Sequence, residues 1–156
     1  MYRPAVRALL VADREILLVR LFVSDSGKHI WLAPGGGIES QEDHHSALIR
    51  EVWEETGHRP NPDDIVGPVW HRRYEFVLRG ESIDQEEHYY HWPVEKFEPT
   101  FDLNADEAEA ELLEEYRWWT IEEIQTSDEI FVPLILGQAL EKLLKETPTS
   151  MIEVGV

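Results

Sequence analysis

The sequence has 156 residues, of which 42% are hydrophobic and six are tryptophan, and this predicts one domain with an apolar core. Its formal net charge of −18 argues against unaided binding of a nucleic acid polymer or an anionic membrane surface. No apolar run reaches the roughly 18 residues of a membrane span, and the absence of cysteine excludes disulfides and thiolate metal ligands. The N-terminus has no signal-peptide pattern, so we expect a cytoplasmic protein. We expect it to be a monomer or a homodimer.

The first half of the chain is predicted to contain three strands and one helix. The strands cover residues 3–11, 15–23 and 30–33; the first two form a hairpin, and the third enters a glycine turn at residues 34–37. A helix follows over residues 41–56. Ser40 and Asp43 have the spacing of a capping box at its start, and Gly57 is a typical residue to end it.

The second half is predicted to add further strands and one main helix. In chain order these are an antiparallel pair over 66–78 and 88–97 joined by the polar stretch 80–85, an acidic and partly helical segment over 102–115, a strand over 116–119, a helical turn over 121–124, a helix over 132–145, and a loose tail over 147–156. Such a mixture predicts a single α/β unit of the mixed α+β kind, with helices packed on a sheet.

Three glutamates cluster on the first helix. Glu51, Glu54 and Glu55 fall within about 100° of one another on a helical wheel, and their mutual repulsion is offset only in part by Arg50. Taken alone, such a cluster is usually a solvated acidic face. Because these carboxylates follow a glycine turn at a fixed distance, we expect them instead to bind Mg²⁺ or Mn²⁺, which prefer hard oxygen ligands.

This segment resembles the signature of the Nudix (MutT-like) hydrolases. The matching positions are Gly36, Glu42 after five residues, and, after seven more, the run Arg50-Glu51-Val52-Trp53-Glu54-Glu55-Thr56-Gly57-His58. His58 departs from the aliphatic residue usual in the family, and Gln41 from a frequent glycine. The resemblance implies a Nudix-type α/β/α sandwich with a mixed sheet, in which the signature at 36–58 forms a loop-helix-loop within one domain over residues 1–156.

The resemblance also implies an activity. Nudix enzymes hydrolyse the diphosphate bond of a nucleoside diphosphate linked to another group, by attack of water on phosphorus with the help of divalent ions. The implied cofactor is Mg²⁺, with Mn²⁺ as a substitute, and the implied partner is a small phosphorylated, nucleotide-type substrate. Two alternatives are a Nudix-fold binding or regulatory module, which the intact carboxylates disfavour, and a prenyl-diphosphate-isomerase-like enzyme, which the lack of cysteine disfavours.

Residue roles follow from the match. The implied metal ligands are the carbonyl of Gly35 and the side chains of Glu51, Glu54 and Glu55; the implied supports of the loop and helix are Gly36, Glu42 and Arg50. Glu54 and Glu51 are also candidate catalytic residues, together with a glutamate ahead of the closing strand, for which Glu114 and Glu111 are the candidates. The competing interpretation of those last two is a solvated acidic helix.

The sequence contains weaker indications of the substrate. Tyr74 lies sixteen residues after His58, a spacing found in family members that act on dinucleoside polyphosphates, and Arg72 and Arg73 beside it are candidate phosphate contacts. These three are the candidate substrate-binding residues. However, Tyr74 alternates with Phe76 along a predicted strand, which favours core packing for its ring.

Overall fold

The computed structural model describes residues 1–23, 26–100, 113–146 and 148–156, and within them nine strands form one mixed sheet. The strands are β1 (Tyr2–Ala12), β2 (Glu15–Val23), β3 (Lys28–Leu32), β4 (Gly35–Gly37), β5 (Val66–Leu78), β6 (Glu81–Pro93), β7 (Leu113–Thr120), β8 (Ile130–Val132) and β9 (Ile152–Glu153). The helices are α1 (His44–Thr56), α2 (Ile121–Thr126) and α3 (Leu136–Lys145), with a short 3-10 turn at Pro62–Asp64.

Strand β1 lies at the centre of the sheet. The strand order is β8-β3-β2-β1-β6-β5-β9, with β4 also paired to β1 and β7 to β2. β1 runs parallel to β6 over ten residue pairs and antiparallel to the short glycine strand β4. The glycine turn is therefore attached directly to the most central strand.

Helices cover both faces of this sheet. Alternate residues of β1 point to opposite sides, so that Val6 and Leu10 pack with Leu48 and Val52 of α1, whereas Leu9 lies in the cluster that contains the α3 leucines. This arrangement confirms the predicted α/β/α sandwich. No helix in the described part of the chain has the length and apolar character needed to cross a membrane.

Helix α1 begins three residues later than predicted. Its N-cap is Asp43, whose carboxylate accepts a hydrogen bond from the backbone N–H of Ser46 at 2.7 Å, so Ser40 lies outside the helix. The predicted end is confirmed: Gly57 has φ 75° and its N–H donates to the carbonyl of Trp53.

Strand β6 corrects the predicted polar connection at residues 80–85. The two strands of the β5–β6 hairpin are joined at Arg79 and Gly80, both with positive φ, and residues 81–87 are already in the sheet. The sequence of this segment lacks the apolar alternation typical of a strand, because two of its inward-facing residues, Gln85 and Glu87, are polar. Both are nevertheless only 1% exposed. The predicted strand end at residue 97 is also too late, since β6 ends at Pro93.

The C-terminal part of the chain differs most from the prediction. Residues 130–132 form a parallel strand beside β3, so the last helix begins at Leu136 rather than at residue 132. The prediction of a loose tail at residues 147–156 is wrong as well. Strand β9 pairs with β5, and Val154 lies in the core with 4% exposure. At the predicted acidic segment, residues 113–115 belong to β7, and the rest lies outside the described residues.

Candidate functional site

The glycine turn lies directly against two of the helix glutamates. The backbone N–H of Gly35 donates to Oε2 of Glu55 at 2.9 Å. A Cβ added to Gly36 would lie 2.7 Å from Oε1 of Glu51, so only glycine leaves room for that carboxylate. Gly35 has φ 151°, and a Cβ there would lie 2.0 Å from the carbonyl oxygen of Val6 on β1. Close approach of the turn both to the sheet and to α1 therefore requires these glycines.

Arg50 connects the turn to the helix. Its guanidinium donates to both carboxylate oxygens of Glu42 at 2.8 and 2.9 Å, to Glu51 at 2.9 Å, to Glu54 at 3.1 Å and to the carbonyl of Gly37 at 3.0 Å. The hydrogen bond with Arg50 lowers the pKa of Glu42, and the same bond raises the pKa of Arg50 above its ordinary value. One cation thus holds three carboxylates and a loop carbonyl in fixed relative positions.

The three signature glutamates differ in exposure. The side chain of Glu51 is 9% exposed and that of Glu54 32%, while Glu55 as a residue is 8% exposed. Within the described residues, no group of three or more His, Asp or Glu side chains is already gathered around one point as a metal site. The donor set nevertheless suits Mg²⁺ or Mn²⁺, because it consists of hard carboxylate and carbonyl oxygens on a helix face and a turn that allows close approach.

The two departures from the family signature have structural explanations. The imidazole of His58 stacks on the ring of Phe97, with centroids 4.0 Å apart and planes at 19°, so a flat ring occupies the aliphatic position. Gln41 has φ 67°, in the left-handed region that favours glycine. The backbone shape that explains a frequent glycine is therefore present, although the residue is different.

The structure places one of the two candidate bases. Glu114 is the residue left out of the ladder at a β-bulge, where Arg20 pairs with Glu115 and Leu21 with Leu113. Its carboxylate contacts Nδ1 of His29, near the start of β3. Glu111 lies outside the described residues.

The predicted substrate residues point in different directions along β5. Arg72 is buried, donates to Glu87 at 2.9 Å and to the carbonyl of Gly155 at 2.8 Å, and covers the ring of Tyr74. Arg73 has a 52% exposed side chain and forms two hydrogen bonds with Asp84. Tyr74 is half-buried and belongs to neither apolar cluster. Its ring is therefore not in the core, although its alternation with Phe76 favoured core packing.

The sequence analysis missed two charged residues near the turn, the partly buried Arg7 and the buried Glu87. Arg7 of β1 donates to Glu87 of β6 at 2.8 Å and to the carbonyls of Ala33 and Gly35 at 3.2 and 3.4 Å. Burial alone would raise the pKa of Glu87, but the charges of Arg7 and Arg72 outweigh it and lower the pKa to about 2. The available signal in the sequence was an arginine, Arg7, within the apolar run of residues 5–12.

Comparison with known proteins identifies the family. The NUDIX domain model matches residues 1–135. The RNA pyrophosphohydrolase of Roseobacter denitrificans is 30% identical over 110 residues, which cover 54% of this chain and 66% of that protein. Diphosphoinositol polyphosphate phosphohydrolase 3-alpha of Mus musculus is 39% identical over 72 residues, or 42% of each chain. In the first three curated relatives, the matched stretch spans 66%, 55% and 39% of their length.

Solved structures show the same fold. The solution structure of the E. coli ORF135 protein superposes with a TM-score of 0.60 at 23% identity, covering 96% of this chain and 95% of that one. A C. elegans Ap4A hydrolase gives a TM-score of 0.57 at 17% identity, covering 92% and 96%. At these identities the likeness concerns the fold alone, whereas the domain match covers most of the chain together with its signature. The chain belongs to the Nudix family.

Proposed function

We propose that this protein is a divalent-metal-dependent hydrolase that cleaves a diphosphate bond by attack of water on phosphorus. The observation that carries the proposal is the joint position of Glu51, Glu54 and Glu55 on one face of α1. Arg50 binds the first two, and the glycine turn lies against Glu51 and Glu55. The relatives matched in sequence include proteins named as a pyrophosphohydrolase and a phosphohydrolase, which supports the same reaction class.

The ion would be held by the carboxylates of Glu51, Glu54 and Glu55 and by the carbonyl of Gly35. When bound, Mg²⁺ or Mn²⁺ supplies charge neutralisation on the diphosphate and lowers the pKa of a coordinated water. Arg50 holds the carboxylates of Glu51 and Glu54 within hydrogen-bonding distance of one guanidinium nitrogen, Nη1. It therefore limits the side-chain movement needed for them to bind the same ion.

Glu54 is our first candidate for contact with the attacking water. Its side chain is 32% exposed, whereas Glu51 is 9% exposed and Glu55 is anchored by the N–H of Gly35. A carboxylate that accepts a proton from water must be open to solvent and substrate. Glu114 stays a second candidate base, with its contact to His29 as the link to test, and Glu111 a third.

The substrate class is proposed more broadly than the sequence suggested. The net charge of −18 argued against a nucleic acid polymer, but the matched relatives named as pyrophosphohydrolases have RNA in that name. A suitable panel therefore contains a 5′-triphosphorylated RNA oligonucleotide, a dinucleoside tetraphosphate, a diphosphoinositol phosphate, a nucleoside triphosphate and ADP-ribose. We propose that the half-buried Tyr74 contacts the substrate. Arg73, the next residue along β5, faces the other side of the strand and pairs with Asp84.

Removal of divalent ions is expected to abolish hydrolysis of every substrate in the panel. The carboxylates carry negative charge that would repel a diphosphate unless a cation lies between them. Phosphate or diphosphate release is measured after treatment with EDTA and again after Mg²⁺ or Mn²⁺ is restored. Full turnover in EDTA would contradict the metal mechanism, and no turnover of any substrate with either ion would contradict the proposed hydrolase.

Gly36→Ala is expected to lower kcat by about 10- to 100-fold, the range typical when a group that orients a metal ligand is changed. The new Cβ would lie 2.7 Å from Oε1 of Glu51 and must displace that carboxylate. Gly137→Ala on α3 is the matched control, because its Cβ is crowded by side chains of α2, with Gln125 Cγ at 3.0 Å and Ile124 Cγ2 at 3.2 Å, and touches no residue of the glycine turn. Melting temperatures and kcat are measured for both. Wild-type kcat in Gly36→Ala would show that the position of Glu51 does not matter.

A further inference from the structure

Arg7 contacts the glycine turn from β1, whereas the signature glutamates contact it from α1. It faces Gly35 across the antiparallel pairing of β1 and β4. Its Nη1 reaches the carbonyl oxygens of Ala33 and Gly35 at 3.2 and 3.4 Å, while its Nε donates to Glu87 at 2.8 Å. The planar guanidinium thus connects the turn to a buried carboxylate.

Glu87 keeps Arg7 in one orientation. Its side chain is 1% exposed and also accepts hydrogen bonds from Arg72 at 2.9 Å, from Gln85 at 2.9 Å and from the hydroxyl of Tyr89 at 3.3 Å. Arg72 in turn donates to the carbonyl of Gly155 near β9. Because these partners come from β1, β5 and β6, the carboxylate has little freedom to move, and neither has Arg7.

The peptide groups of the turn are therefore held by two elements, α1 and β1. The N–H of Gly35 is bound by Glu55 of α1 at 2.9 Å, and its carbonyl by Arg7 of β1 at 3.4 Å. A carbonyl oxygen has two lone pairs, so the long contact with Arg7 leaves capacity for a further partner. Fixing the direction of a ligand before the ion arrives strengthens binding, because less freedom is lost on binding.

We infer that Arg7 is a positioning residue, which directs the Gly35 carbonyl towards the bound ion and is itself fixed by Glu87. The inference rests on the proposed function, since it needs Gly35 to be a metal ligand. Arg7 is not placed in contact with substrate or with the reacting atoms. Its effect is expected on the affinity for the ion, and on turnover only through that affinity.

The test compares two charge-conserving variants. Arg7→Lys keeps a cation beside Glu87, but its three donors share one nitrogen, so it does not reproduce the Nε contact with Glu87 together with the Nη1 contacts with the two carbonyls. Arg72→Lys is the matched control, because it changes the other arginine bound to Glu87, whose second contact is with Gly155 rather than with the turn. Mn²⁺ affinity is measured by calorimetry without substrate at 10 °C, with folding verified by circular dichroism. Glu54→Gln is included as a variant of the ion site itself.

Arg7→Lys is expected to weaken Mn²⁺ binding by about tenfold, and Arg72→Lys by less than about twofold. Raising the Mn²⁺ concentration should then restore most of the turnover of Arg7→Lys. Wild-type Mn²⁺ affinity in Arg7→Lys, or equal losses in both arginine variants, would overturn the positioning role. Failure of the proposed function gives a different result: wild-type protein would bind no Mn²⁺, or Glu54→Gln would bind it as well as wild type.

Discussion

Glu54→Gln is expected to lower kcat on the order of a thousandfold, the upper part of the range seen when an enzyme loses one charge-stabilising group. An amide has the size of the carboxylate but neither its charge nor its basicity, so it binds a divalent ion weakly and accepts no proton. Because Glu54 is 32% exposed and lies on a helix surface, we expect the melting temperature to stay within a few degrees of wild type. The measurement is kcat at saturating Mg²⁺ for the best substrate of the panel.

Glu75→Gln provides the control for Glu54→Gln. Glu75 is exposed on β5 and the change removes the same single negative charge from the chain. Its kcat should equal that of wild type. Wild-type turnover in both variants would show that Glu54 is not a catalytic residue. An equal loss of turnover in both would show that the change in net charge, rather than the position of Glu54, causes the loss.

Glu87→Gln is expected to destabilise the protein by about 3–5 kcal/mol, the usual cost of removing one partner of a buried ion pair. The substitution leaves Arg7 and Arg72, with side chains only 11% and 8% exposed, without the carboxylate between them. For a domain of this size the melting temperature should fall by roughly 10 °C. Glu81→Gln at the exposed start of β6 is the control and should melt as wild type does.

The pH dependence gives an independent check on Glu87. Because the pKa of this carboxyl is lowered from 4.5 to about 2 in the folded protein, its stabilisation is present above pH 4.5 and is lost as the pH falls towards 2. The difference in unfolding free energy between wild type and Glu87→Gln should therefore be constant from about pH 5 to 7 and should shrink below pH 4.5. A difference that grows in acid would mean that Glu87 is not the stabilising charge.

The sequence was sufficient wherever the determining residues are close together along the chain. The spacing of Gly36, Glu42 and Arg50 through His58 predicted the family, which the domain match confirms, and the C-terminal end of the helix at Gly57. The first hairpin followed from apolar runs on both sides of Asp13, whose φ of 57° marks the turn. Local propensity and hydrophobic periodicity act over about ten residues, and these features need no more than that.

Only the tertiary structure decided the elements that depend on distant partners. Glu87 is buried because it pairs with Arg7, eighty residues earlier, and Arg72; without them its place in the sequence is typical of a polar loop. The tail at residues 152–153 becomes a strand because β5 offers it a partner, and Val154 then enters the core. Burial of a charged side chain or of a single short strand is favourable only when another part of the chain forms hydrogen bonds with it. A local sequence pattern carries no information about that partner.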